Sequence, residues 1–202
     1  MQNWLRYLLL LLIISSTALI SIRFYEEFNQ GNNIKKELQV NLISWPDRLP
    51  EFSLSDIDGE LRSISNWSKE PLLINFWATW CAPCRREMPL LETLHKERSK
   101  TGMQVLGIAI DRQEDVVRYV TQAGITYPIL WGEEEALEIS NSLGVTELAL
   151  PFTLLVTGDG QILTLYVGEL MREELAFIAD ISSQVATGKN DVETARRLLS
   201  QL

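Results

Sequence analysis

Two cysteines, Cys81 and Cys84, stand where an apolar run ends and a helical pattern begins, and this placement limits the chain more than any other feature. The run Leu72-Leu73-Ile74-Asn75-Phe76-Trp77 has a strand's length and is almost continuously apolar, as expected of a central strand covered on both faces. After the pair, Met88, Leu91 and Leu94, then His95 and Arg98, recur at helical spacing up to about Lys100. A thiol at a helix start meets unpaired backbone N–H groups and the positive end of the helix dipole, and both stabilise a thiolate on Cys81. Two intervening residues let the sulfurs close a small ring. Cys81, expected to be exposed at the helix start, can therefore attack a partner's disulfide, and Cys84, one turn in and expected to be buried, can resolve the mixed disulfide that results.

Other uses of the pair fit less well. A structural zinc or iron–sulfur site needs about four ligands, but the chain has only these two cysteines and one histidine, His95. His95 falls on the same expected helix, too far along it to converge with both thiols, so no metal is expected. A purely structural disulfide closing so short a loop would add little chain-entropy stabilisation. With 18 basic against 27 acidic residues the formal net charge is −9. Phosphate neutralisation needs a basic patch, so no nucleic-acid partner is expected.

The N-terminus carries a second constraint. Tyr7 to Ile22 is free of charge and includes Leu8-Leu9-Leu10-Leu11-Leu12-Ile13-Ile14 between Arg6 and Arg23. A membrane span needs about 17–25 residues, and Trp4 and Leu5, with Arg6 snorkelling, make up the length. A signal peptide cleaved near Ser16-Thr17-Ala18 is the competing reading. The apolar run continues through Leu19-Ile20-Ser21-Ile22, which favours an uncleaved anchor. An exported location suits a dithiol that cycles.

The expected organisation is a signal-anchor over 1–25, a polar tether over 26–45, an α/β domain over 46–187 and an amphipathic helix over 188–202. Within the domain, Phe52–Ser55 and Leu61–Ile64 alternate around Asp58-Gly59 as a hairpin. Strands are expected at 105–110, 127–131, 152–156 and 162–167, and helices at 115–123, 133–143 and 172–186. Gly124 and Gly144 are the stops of the first two helices. This strand–helix alternation implies a mixed central sheet with helices on both faces.

The segment Asn75-Phe76-Trp77-Ala78-Thr79-Trp80-Cys81-Ala82-Pro83-Cys84-Arg85-Arg86-Glu87-Met88-Pro89 resembles the active site of the thioredoxin superfamily. More narrowly it resembles the TlpA/ResA/DsbE-like branch of membrane-anchored thiol–disulfide oxidoreductases, over about residues 46–185. Pro89 stands where thioredoxins kink the active-site helix, and Pro151, before a strand Pro-x-Thr-x-Leu, where the family places its cis-proline. The helix and strand expected between Asp111 and Leu143 resemble the branch's central αβ insertion. The resemblance implies a thioredoxin-like fold with an N-terminal β-hairpin. It also implies a Cys81–Cys84 redox disulfide, and a client-binding surface that includes Trp80, Pro83, Leu150 and Pro151.

Asn75 replaces the buried aspartate of ordinary thioredoxins and cannot titrate, whereas Glu87 matches the branch's glutamate three residues after the second cysteine. Cys84 and Glu87 are i and i+3 on one helix face, so a carboxylate there, expected to be partly buried with a raised pKa, can take the proton from Cys84 as it attacks. Leu150 and Phe152, flanking Pro151, depart from the family pattern in the groove expected to receive a client. Arg85 and Arg86 are either tuning groups for the thiolate or plain solvent-facing helix residues.

The function implied is an extracytoplasmic oxidoreductase, without cofactor, on the cytoplasmic membrane. It would reduce disulfides of protein clients through mixed disulfides, for example in cytochrome c maturation or metal-site assembly, with electrons from a membrane donor protein. Two other readings stand beside it. A peroxiredoxin-type thiol peroxidase wants a threonine three residues before its reactive cysteine, where this chain has Ala78. A non-catalytic binding or assembly factor would have no need of both cysteines together with Glu87 and Pro151.

Overall fold

The computed structural model describes residue 23 and residues 45–97, 101–146 and 149–202. The expected anchor and most of the tether lie outside the described residues. Among the described residues no helix is long and apolar enough to cross a membrane.

The hairpin expected around Asp58-Gly59 forms from β1 (Ser53–Asp56) and β2 (Leu61–Ser63). Asp56 ties its turn, accepting from the backbone N–H of Asp58 and of Glu60 and from Arg62 Nε. The apolar run becomes β3 (Leu72–Trp77), buried along its whole length. It leads into helix α1 (Ala82–Lys96), which contains Pro89. The order then continues β4 (Gln104–Ile110), α2 (Gln113–Ala123), β5 (Ile129–Gly132) and α3 (Glu134–Ser142). Strands β6 (Phe152–Val156) and β7 (Ile162–Val167) follow, then α4 (Arg172–Ala186) and α5 (Val192–Leu199). Gly124 ends α2 at φ +65°, the left-handed conformation that favours glycine over residues with a Cβ.

One seven-stranded sheet runs β2-β1-β5-β4-β3-β6-β7. Strands β3, β4 and β5 are mutually parallel, while the β1–β5, β3–β6 and β6–β7 pairs are antiparallel. The parallel β4–α2–β5 crossover is the central αβ insertion expected from the sequence. Strand β5 starts two residues later than expected, after Pro128, whose carbonyl accepts from Gly107 N. The thioredoxin-like architecture and mixed sheet anticipated from the sequence are thus present.

Side chains alternate across β3. Leu73 and Trp77 join a core with Met88 and Leu91 of α1, Val116 and Val120 of α2, Ile178 of α4 and Ala195 of α5. Ile74 and Phe76 face the other way, and Phe76 stacks on Phe152 of β6 with ring centroids 4.3 Å apart. Phe152 is fully buried in this stack, so it does not line the client groove as its position beside Pro151 suggested.

Helix α1 is fixed at both ends. Near its C-terminus the Glu92 carboxylate accepts from Thr126 N at 2.7 Å, from Thr126 Oγ1 at 2.6 Å and from Lys96 Nζ at 3.0 Å. Burial pushes the Glu92 carboxyl up, but the Thr126 and Lys96 bonds outweigh it and bring the pKa down to about 2. A depressed carboxyl pKa contributes stability that is present above the unfolded value near 4.5 and lost as pH falls toward about 2. Glu92→Ala should therefore destabilise the fold by about 1–3 kcal/mol at neutral pH by orphaning the Thr126 donors. The deficit should shrink between pH 4.5 and 2 in urea titrations, and a deficit that does not change with pH would contradict this role.

Candidate active site

The site forms where β3 hands over to α1. Ala78 to Cys81 makes a tight turn, closed by Cys81 N donating to Ala78 O at 3.2 Å. Cys81 is the N-cap of α1, and its Sγ accepts from Cys84 N at 3.3 Å, so the sulfur sits on the unpaired N–H groups of the helix start. The two sulfurs are joined in a disulfide, with Cα atoms 5.3 Å apart. Cys81, expected to be exposed, is only 5% exposed, and Cys84 is fully buried. The exposed groups at this point are Trp80, at 60%, and Ala82. Pro83 is half-buried in the first turn of the helix.

Glu87 lies one turn beyond Cys84 and is fully buried, deeper than the partial burial expected from sequence. Both its oxygens accept hydrogen bonds. Asn75 Nδ2 donates to Oε1 at 2.7 Å and the backbone N–H of Leu170 to Oε2 at 2.9 Å. Asn75 Nδ2 also reaches Thr153 Oγ1 at 3.0 Å, tying β3 to β6. Desolvation pushes the Glu87 carboxyl up to about 7, against the pull of the Leu170 and Asn75 donors; the nearby Glu169 charge adds to the rise. A carboxyl poised there takes up and releases a proton near neutral pH.

The Leu150–Pro151 bond is cis. Leu150 is half-buried, Pro151 is buried, and the Pro151 carbonyl accepts from Gly168 N at 2.9 Å. Gly168 begins the short loop that also supplies Leu170 N, so one loop braces both the proline turn and Glu87. Arg86 grips Glu169 of this loop through its Nε, at 2.9 and 3.1 Å, and through Nη2. Arg85 and Arg86 are both exposed, and Arg86 is held in this ion pair. Asn75 stood out in the sequence only as the replacement of the thioredoxin aspartate, not as a partner of Glu87, and Thr153, Leu170 and Asp111 were not singled out as site residues. Their contacts to the active-site segment span 12 to 83 residues of chain, and no local pattern marks such pairs. Among the described residues no group of side chains could hold a metal ion.

The model of the AhpC/TSA family matches residues 46–164. A thiol-disulfide oxidoreductase ResA of Geobacillus thermodenitrificans is 29% identical over 127 residues, covering 62% of this chain and 71% of that protein. A second protein of that name, from Bacillus anthracis, is 26% identical over 175 residues, 86% of this chain and 94% of its own length. Among solved structures, a thiol:disulfide interchange protein of the thioredoxin family from Chlorobium tepidum superposes with a TM-score of 0.60 at 26% identity. It covers 69% of this chain and 98% of its own. A secreted thiol-disulfide isomerase from Corynebacterium glutamicum shares the fold at 23% identity and a TM-score of 0.60, over 67% of this chain and 85% of its own.

A buried carboxyl raised from 4.5 to about 7 binds more protons in the native state than in the unfolded state between those values. Stability therefore falls as pH rises through that window. Urea unfolding of the disulfide form should show this loss between pH 5 and about 8, and Glu87→Gln should flatten it. An unchanged slope in the variant would place the titration elsewhere.

Proposed function

The chain belongs to the AhpC/TSA family, and from that premise we propose an extracytoplasmic, membrane-anchored thiol–disulfide oxidoreductase that reduces protein clients. The observation that carries the reading is the Cys81–Cys84 disulfide at the N-terminus of α1 with the buried Glu87 carboxyl on the same helix face. In the dithiol form, the Cys81 thiolate attacks one sulfur of a client disulfide and releases the other as a client thiolate. Cys84 then gives its proton to Glu87 and attacks the Cys81 sulfur. The second client thiolate leaves and the Cys81–Cys84 disulfide remains, so two electrons have passed to the client. The proton held by Glu87 near pH 7 is available to the departing thiolate.

Client recognition is assigned to the surface around Trp80, Pro83, Leu150 and Pro151. An extended client segment would pair with the backbone at Leu150, the mode by which strands add to one another. A membrane protein donor would return the disulfide to the dithiol. The uncharged stretch at residues 7–22 supports an anchor, and the names of the ResA relatives support the redox chemistry. The thiol-peroxidase reading is not favoured, because the position three before Cys81 is a buried alanine with no hydroxyl to offer a peroxide.

The test is reduction of insulin by the full chain supplied with dithiol. Cys81→Ser should abolish turnover, and Cys84→Ser should accumulate mixed disulfides. Glu87→Gln should slow their release by about 10²–10⁴-fold. Full activity in Cys81→Ser would contradict the assignment. Wild-type release rates in Glu87→Gln would remove the proton role from Glu87 alone.

A further inference from the structure

The turn that carries the nucleophile hangs from a second carboxylate. Asp111 follows directly on β4. Its Oδ2 accepts from Thr79 N at 2.9 Å and from Thr79 Oγ1 at 2.6 Å, and its Oδ1 accepts from Arg112 N at 2.9 Å. The guanidinium of Arg112 turns away to Asp115, and among the described residues Asp111 has no cation of its own. Thr79 lies in the Ala78–Cys81 turn, two residues before Cys81. Two chain steps of ~3.8 Å keep the Thr79 and Cys81 Cα atoms within about 7.6 Å, so the carboxylate's partner and the sulfur share one short turn.

We propose that Asp111 is a positioning residue for Cys81: it suspends the active-site turn from the end of β4 and sets an uncompensated negative charge on the turn that carries the attacking sulfur. The inference rests on the dithiol reading and adds to it a determinant of the sulfur's reactivity. Two bonds from one side chain to Thr79, one of them to the backbone, fix the turn that aims Cys81 at the helix N-terminus. The charge works against that helix end. It makes the Cys81 thiolate harder to form, and so weakens the dithiol relative to the disulfide. A dithiol poised in this way gives up its electrons more readily. The other charged and titratable groups near the active-site turn are Cys84, Arg85 and Glu87 on α1 and the Arg86–Glu169 pair; Tyr119 of α2 interacts with Arg85, and Tyr166 of β7 with Glu87.

The experiment follows alkylation of Cys81 by iodoacetamide across about pH 5–9 in the reduced full-length chain, with the labelled peptide quantified by mass. Asp111→Asn keeps a carbonyl to accept from Thr79 and removes the charge. It should lower the Cys81 midpoint by about half a pH unit and shift the glutathione equilibrium severalfold toward the dithiol. Thr79→Val keeps the charge and removes one bond, and should leave the midpoint in place. Asp111→Ser gives a second, independent charge removal and should move the midpoint in the same direction. An unmoved or raised midpoint in both Asp111 variants overturns the proposal, and so does an equal fall in Thr79→Val, which would trace the shift to a loosened turn. A wild-type chain that fails to reduce insulin would instead strike the dithiol reading itself.

Discussion

The buried Glu87 carboxyl, held between Asn75 Nδ2 and Leu170 N, is the constraint around which the active site is arranged. A carboxyl with no solvent access must be satisfied by protein donors or stay protonated. Here two donors accept the cost of burial only in part, leaving the group able to change state near pH 7. Each donor comes from a different part of the chain. Asn75 is in the middle of β3, and Leu170 follows β7. The carboxyl therefore requires that β3, α1 and the β7–α4 loop be assembled in one geometry, and that assembly also places Cys84 on the same face.

The sheet order explains how these pieces converge. β3 lies between β4 and β6, so its C-terminal end has a partner strand on each side. From β6 comes Thr153, bonded to Asn75, and the cis Leu150–Pro151 turn just before it. From β4 comes Asp111, bonded to the turn that carries Cys81. Two carboxylates thus hold the segment around the cysteine pair, in different surroundings. Glu87 is fully buried one turn beyond Cys84, whereas Asp111 is partly exposed at the sheet's end, bonded to the Cys81 turn. In the proposed function the first exchanges a proton, and in the proposed tuning of Cys81 the second biases a thiolate by its charge.

Much of this was legible in the sequence because it depends on local pattern. The apolar run 72–77, the helical spacing after Cys84, the Asp58-Gly59 turn and the glycine stops each encode their element within a few residues, and the elements appear close to where they were expected. Cys81, Cys84, Glu87 and Pro151 could be singled out because they lie in compact motifs. The partners of Glu87 could not, since the Leu170 contact is a backbone N–H 83 residues away and any residue but proline can provide one. The burial of Phe152 was missed for a related reason. Its place beside Pro151 suggested the groove, but strand alternation turns it to the opposite face, onto Phe76. Cys81 was expected to be exposed from its place at a helix start, yet the turn packs it against the core and leaves Trp80 outermost.

The proposed chemistry requires that Glu87 hold a proton near neutral pH. It is tested most directly by observing that carboxyl itself: infrared titration of the disulfide form labelled with 13C-glutamate, with the Glu87 band assigned by its loss in Glu87→Gln. The account predicts a protonated carboxyl band that disappears with a midpoint near 7. A Glu87 band that titrates in the ordinary carboxylate range near 4.3 would contradict it.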